Sequence, residues 1–345
     1  MSADAATRCT DCGAEIAPGL LACPGCARLI HAAELTKLAS AAEEAERRGD
    51  FTAALAAWRR ATELLPAQTL QRATIVKRMQ SLCAAVDGRG EPPPGTGNPG
   101  ANAGKKAGTA AGVGAVGLAL TKSKALLALL VGNGKLLLLG LTKLPTVMSM
   151  LFYASWSSGR GAGFGIGLVA SIYVHEVGHV AALRRYGIDA SAPMFVPGFG
   201  AFVRLRQYPT DAHEEARTGL AGPLWGLAAA IVAAGIGVAL GSRTALGVAS
   251  LGATINLFNL LPVWQLDGAR GLRALGRHER FALAAIGVVT GLVLHQSMPA
   301  VIGAIAFARA FSNAHPTGDR RAFALFAALI VAHALVATLP LSAWV

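Results

Sequence analysis

From about residue 113 onward the chain is a succession of apolar runs. They lie at roughly 135–157, 163–183, 219–240, 244–262, 281–297, 298–312 and 322–341. A helix needs about 20 apolar residues to cross the hydrocarbon core of a bilayer, where every backbone polar group must be satisfied within the protein. Several runs reach that length. The expected fold class is therefore mainly α, a polytopic transmembrane helical bundle of about six to seven spans, preceded by a small N-terminal module. The stretch 113–134 is apolar but broken by Lys122, Lys124 and Gly132-Asn133-Gly134, which suits an interfacial position. Composition agrees: only 14% of residues are charged, against about 25% in ordinary globular chains.

The formal net charge is +12, which raises the question of nucleic acid. Its placement answers it. Residues 1–100 hold 11 basic and 11 acidic side chains, whereas residues 101–345 hold 20 and 8. The excess sits between apolar runs and lacks interleaved aromatics or a readable binding motif, so no nucleic-acid partner is expected. Arg184-Arg185, the group Arg270, Arg273, Arg277 and Arg280, and Arg320-Arg321 all fall on one side of the membrane if the spans alternate. The positive-inside rule makes that side cytoplasmic. The expected localisation is an integral membrane protein, in a bacterial cytoplasmic membrane, with a cytosolic N-terminus. Lys143 and Arg309 lie inside apolar runs and fit this scheme least well.

Four of the five cysteines form one cluster, Cys9-x2-Cys12 and Cys23-x2-Cys26. Each CxxC turn can aim two thiolates at one ion, and two turns complete a closed tetrahedral site. The start of the chain, Met1-Ser2-Ala3-Asp4, lacks the cations and apolar core of a secretory signal. A reduced, metal-binding cluster is thus expected rather than disulfides: a zinc ribbon over 1–31, holding one structural Zn2+. Redox-active thiols are the alternative reading. Residues 32–87 read as helices. Gly49-Asp50-Phe51 followed by Ala54, Trp58, Ala61 and Pro66 looks like the second half of a tetratricopeptide repeat, with a plain helical hairpin as the alternative reading. One such repeat cannot bury its own face, so a helix near 68–86 should pack on it, with Cys83 in the core. Residues 88–112, with Pro92-Pro93-Pro94-Gly95, read as a flexible linker. Residues 113–345 form the membrane domain.

Within the run 163–183 lies His175-Glu176-Val177-Gly178-His179. Residues i and i+4 share a helix face, so both imidazoles can reach one zinc, with Glu176 beside it as base toward a zinc-bound water. Three ionisable side chains in an apolar helix are costly and mark function by default; a polar helix-packing cluster is the alternative. Two histidines leave a catalytic zinc site short of its usual three protein ligands. Asp267 is the best third candidate: no other carboxylate stands between Glu215 and Glu279, and the surrounding Pro262 and Gly268 can turn the chain. The plainer reading of Asp267 is a helix N-cap.

HExxH together with Asn259-x-x-Pro262-x4-Asp267-Gly268 resembles the site-2 protease family of intramembrane zinc metalloproteases, peptidase family M50. The resemblance covers about 135–312 and extends to Ala192-Pro193-Met194-Phe195-Val196-Pro197, Gly200-Ala201, Glu215-Ala216 and Gly219-Leu220-Ala221-Gly222-Pro223. It implies His175, His179 and Asp267 as ligands of a catalytic Zn2+ and Glu176 as base. It also implies that Asn259 helps to hold the substrate carbonyl or oxyanion, and that 193–206 is a hairpin-like element beside the substrate. Where the family often has Pro-Leu-Asp-Gly-Gly, this chain has Gln265-Leu266-Asp267-Gly268-Ala269. The interval between His179 and Asp267 is too short for the PDZ domain that many bacterial relatives carry. The N-terminal module would then recruit or regulate substrates, and a protein partner could dock there.

The expected function is hydrolysis of peptide bonds in or near transmembrane segments of membrane-anchored protein substrates. The rivals are a non-catalytic membrane scaffold or adaptor with a structural metal site, and a metal transporter, which would need polar ligands on more spans. His213, His278 and His315 are expected in solvated loops, His295 and His333 in helix packing, and Trp156, Trp264 and Trp344 as interfacial anchors.

Overall fold

The computed structural model describes residues 7–88, 162–190, 194–196, 200–202, 207–312 and 314–339. The expected linker, the run at 135–157, the stretch 113–134 and the residues Trp156 and Trp344 lie outside them. The described residues are mainly helical and fall into two compact units.

The first unit contains the N-terminal module together with two short pieces of later chain, Arg184–Asp189 and Arg206–Thr210. It opens with two paired strands, β1 (Thr7–Arg8) and β2 (Glu15–Ile16), in antiparallel register Thr7↔Ile16 and Arg8↔Glu15. Three helices follow: α1 (Ala32–Arg47), α2 (Phe51–Glu63) and α3 (Leu70–Val86). Gly49, at φ +73°, makes the left-handed turn between α1 and α2, a conformation that glycine adopts without a steric penalty. Asp50 then caps α2 by accepting from the amide of Ala53, and Thr69 caps α3. Ala42, Ala45, Ala54 and Ala61 are almost completely buried, so α1 and α2 approach closely, with Phe51, Leu55 and Trp58 filling the groove. α3 closes this core with Met79, Leu82 and Cys83. Glu46 is buried as well. It accepts from Trp58 Nε1 at 2.6 Å and takes a forked pair from Arg78 at 3.0 and 2.9 Å, the paired arrangement that a buried carboxylate requires.

The second unit holds the apolar helices. They are α4 (Ala162–Arg185, whose last two residues belong to the first unit), α5 (Ala212–Leu240), α6 (Arg243–Asn259), α7 (Asp267–Arg273), α8 (Arg277–Val293), α9 (Ser297–Arg309) and α10 (Arg320–Ala337). A small antiparallel hairpin, β3 (Met194–Val196) with β4 (Gly200–Phe202), lies between α4 and α5 in sequence. Of the expected spans, α4, α5 and α10 are long and apolar enough to cross a membrane. The runs at 244–262, 281–297 and 298–312 become shorter helices of 17, 17 and 13 residues. At 1.5 Å per residue α9 is only ~20 Å long, short of a ~30 Å hydrocarbon core. α8 and α9 form a hairpin whose helices touch through glycine. A methyl at Gly287 would lie 2.7 Å from the carbonyl of Pro299, and one at Gly303 would lie 2.6 Å from that of Ala284. The core of the unit gathers Leu220, Leu257, Leu260, Leu283, Ile302 and Phe326.

Two histidine expectations are corrected. His213 and His315 are not simply solvated. His213 pairs with Asp319 at 3.0 Å, and its ring meets that of His315 edge-on at 4.7 Å. The cause is Asp319, which caps α10 with its carboxylate and draws His213 and Arg217 onto its remaining lone pairs. His295 does not pack within a helix; it sits exposed at φ +53° in the turn between α8 and α9. His333 is fully buried, its Nδ1 on the carbonyl of Leu329 at 2.9 Å. His278 and Trp264 are exposed.

Candidate metal centres

α4 carries His175 and His179 one turn apart on a buried face. α7 begins with Asp267, also buried. The three polar ends converge. His175 Nε2 and His179 Nε2 lie 3.1 Å apart, Asp267 Oδ2 lies 3.1 Å from the first and Oδ1 3.3 Å from the second. Ligands of a tetrahedral zinc with bonds near 2.0–2.1 Å stand ~3.3 Å from one another, so the donor set fits such an ion. The residues around it fit too. His175 Nδ1 donates to Asn256 Oδ1 at 2.7 Å, and His179 Nδ1 donates to the carbonyl of Thr218 at 2.8 Å. Asn256 is fixed in that orientation because its amide nitrogen donates to the carbonyl of Gly252 at 2.8 Å. Both imidazoles are thus held with Nδ1 protonated and the Nε2 lone pairs turned toward each other and toward Asp267. This is how histidines are oriented for a metal.

Glycines bring the helices this close. A Cβ at Gly222 of α5 would fall on the Nε2 atoms of both histidines, and one at Gly226 would strike the amide group of Asn256. Within α4, a Cβ at Gly178 would come within 2.6 Å of the carbonyl of Ala221 and 2.8 Å of Trp225. Gly268 follows Asp267 because a side chain there would collide with the carbonyl of Leu260. The loop 260–266 therefore folds back tightly and delivers Asp267 as the first residue of α7, with Leu266 rather than Asp267 in the cap position. Glu176 is half-buried beside His175, and its charge is felt by His175, His179, Asp267 and Arg270. Arg270 in turn donates to Thr218 Oγ1 at 3.2 Å. Asn259 is half-buried at the last residue of α6. Asn256, one turn earlier, is the residue that sequence reasoning missed. Its signal was a polar side chain in an apolar helix, one turn before an asparagine that already matched a motif.

The second cluster is in the first unit. Cys9 and Cys26 sulfurs lie 3.7 Å apart and those of Cys12 and Cys23 3.5 Å apart. All four thiols are free, far from the ~2.05 Å of a disulfide. Four thiolates around zinc at ~2.3 Å stand ~3.8 Å apart, close to what is seen. Each CxxC turn is closed by a backbone bond, Gly13 N–H to the carbonyl of Cys9 and Ala27 N–H to that of Cys23, both at 2.9 Å. The amide of Cys12 holds the Cys9 thiol down at about 7. Cys26 accepts from the Arg28 amide, but its neighbouring thiols push it up to about 12. Crowded sulfurs that resist joint ionisation are the chemistry a bound cation relieves.

Residues 163–247 match the family model of peptidase family M50. The chain is 35% identical over 138 residues to a Mycobacterium tuberculosis protein named as zinc metalloprotease Rip3, covering 37% of this chain and 35% of that protein. It is 31% identical over 116 residues to zinc metalloprotease MJ0392 of Methanocaldococcus jannaschii, covering 31% of this chain and 32% of that one. The chain therefore spans about a third of the length of these curated relatives. No solved structure matches it significantly. The segment that carries His175, Glu176 and His179 is thus similar to peptidase family M50.

Proposed function

We propose that the chain is a zinc metalloprotease that hydrolyses peptide bonds in or near transmembrane segments of membrane-anchored proteins. The observation that carries this reading is the convergence of His175 Nε2, His179 Nε2 and the Asp267 carboxylate within 3.3 Å of one another, with both Nδ1 atoms engaged. These three residues would hold the catalytic zinc. When bound, it supplies a Lewis acid beside the scissile carbonyl. Glu176 takes a proton from the attacking water and returns it to the leaving amine, so that water is consumed and an acid and an amine are released. Asn259 is assigned to the substrate carbonyl or oxyanion; it stands half-buried at the end of α6, one turn after Asn256. The hairpin β3–β4 is assigned to the substrate, whose helix must unwind before cleavage and can do so by pairing as a strand. A second, structural zinc is assigned to Cys9, Cys12, Cys23 and Cys26. The basic groups flanking the spans support a cytosolic N-terminus in a bacterial membrane.

The test is Glu176→Gln. Glutamine keeps the shape of the side chain but accepts no proton, so metal content should be unchanged while cleavage of a membrane-anchored reporter falls by ~100-fold or more. Full cleavage by this variant overturns the reading. Metal in the cysteine cluster alone, with no proteolysis by the unaltered protein, favours the scaffold instead.

A further inference from the structure

The strands β3 and β4 have three residues each. A hairpin that small is marginal by itself, so its register depends on what holds its two ends. The segments that flank it in sequence, Arg184–Asp189 and Arg206–Thr210, are part of the first unit. Arg59 of α2 joins them. Its side chain is buried, with the residue 3% exposed. Its Nε donates to the carbonyl of Tyr186 at 2.9 Å, and its Nη1 donates to the carbonyl of Tyr208 at 3.2 Å. One guanidinium thus grips the chain just before the hairpin and just after it. The planar fork of arginine suits this role, since it reaches two acceptors at fixed separation.

Other contacts seat the same two stems. Thr52 Oγ1 donates to the carbonyl of Arg185 at 3.1 Å, and the Arg185 guanidinium donates to the carbonyl of Val86 at 2.7 Å. The Tyr186 hydroxyl donates to Asp87 at 2.5 Å. On the other stem, the Gln207 amide donates to Glu63 at 2.6 Å. Gly187, at φ +67°, lies so close on α2 that a Cβ would stand 2.5 Å from the amide nitrogen of Ala56 and 2.9 Å from the carbonyl of Thr52. The repeat-like helices are therefore built around the two stems.

We propose that Arg59 is a positioning residue for the β3–β4 hairpin, holding its stems at one spacing so that the strands keep the register that receives substrate. Reception of substrate by the hairpin rests on the metalloprotease reading; the grip of Arg59 on its flanking segments does not. The N-terminal module is then part of the substrate-presenting machinery, and its helices act on cleavage through this contact.

The experiment uses the full-length protein in detergent micelles, with Glu176→Gln as the background for hydrogen exchange. Arg59→Met removes both bonds while keeping the apolar stem. Exchange at 184–190, 194–202 and 206–210 should accelerate together by about tenfold or more, since a buried and a partly buried carbonyl lose a charged donor. Exchange in α1 and α3, and zinc in the cysteine cluster, should not change. In the active enzyme the same substitution should raise KM for a membrane-anchored substrate by about tenfold and alter kcat much less, because the acid–base group is untouched. Gly187→Ala disturbs the seat from the stem side and decides the matter if Arg59→Met unfolds the module. Hairpin exchange unchanged by both substitutions, or by Gly187→Ala alone where Arg59→Met does not fold, overturns the proposal. If exchange accelerates but no variant of the protein has ever cleaved substrate, it is the protease reading that fails.

Discussion

Asn256 shows how much a single side chain can decide. It lies on α6 with its oxygen on His175 and its nitrogen on a carbonyl of its own helix, so its amide is fixed in one orientation. Replacement by alanine leaves His175 Nδ1 without its acceptor and frees the ring to rotate. Losses of this kind typically weaken a metal site by ~10–100-fold. Asn256→Ala should therefore lower zinc affinity at the histidine site by about that factor, read by competition with a chelator, and leave the cysteine cluster unaffected. Asn256→Asp, which keeps an acceptor, should lose less. Unchanged affinity in both would show that the backbone alone orients His175. The glycines act at the same scale. Gly222 and Gly226 lie against the imidazoles and against Asn256 respectively. Their role is to have no side chain, which is why a sequence motif can display them without saying what they touch.

At the scale of elements, the apolar runs announced helices, and HExxH announced which helix face would be polar. What the runs did not announce was helix length. Gly291 and Gln296 close the run 281–312 into a tight hairpin, with the amide of Gln296 bonded to the carbonyl of Gly291 at 2.9 Å, so two expected spans become α8 and the shorter α9. Hydropathy is blind to this, because a turn and a span can share the same apolar letters. The pairing of Asp267 with two histidines was legible, since few carboxylates were available; the assistance of Asn256 and Thr218 depends on tertiary contact and was not. The start of α10 was also hidden. Its cap Asp319 sits among His213, Arg217, His315 and Glu279. Burial raises the Asp319 carboxyl, but the amide of Ala322, His213 and Arg217 outweigh it and hold it below its ordinary 3.8. Burial and neighbouring His213 hold His315 below its ordinary 6.5. The signs follow from linkage. As pH falls below 6.5 the unfolded chain takes a proton at His315 before the folded one does, so stability declines. The contribution of Asp319 is present above 3.8 and is lost only as pH falls through its lower folded value. Thermal unfolding in detergent should therefore show a loss of Tm that begins below about pH 6.5 and is flattened by His315→Asn. A pH profile identical in that variant would remove His315 from the account.

For the whole molecule, two donor sets of opposite design stand in separate units. The cysteine set is closed: four soft sulfurs leave no position for a substrate, and half of them are exposed to solvent. The histidine–aspartate set has three protein donors, all buried, which is the number that leaves a tetrahedral ion one place for chemistry. If each set holds its own ion, the full-length protein should purify with about two zinc per chain, as three- and four-donor sites of this kind bind independently. Cys9→Ser should remove one and His175→Ala the other, each leaving its partner in place; metal analysis by mass spectrometry reads both. The consequences should differ as well. Loss of the ribbon ion acts on folding, because the strands β1 and β2 are two residues each and the core around Cys9, Ile16 and Cys23 is small. Such a domain depends on its metal for stability. Loss of the ion at the histidine–aspartate set leaves Leu220, Leu257, Leu260 and Phe326 packed as before, so the fold should persist while the proposed cleavage is lost. A His175→Ala protein that loses both ions, or neither, would show that the two centres are not the independent structural and catalytic sites proposed for them.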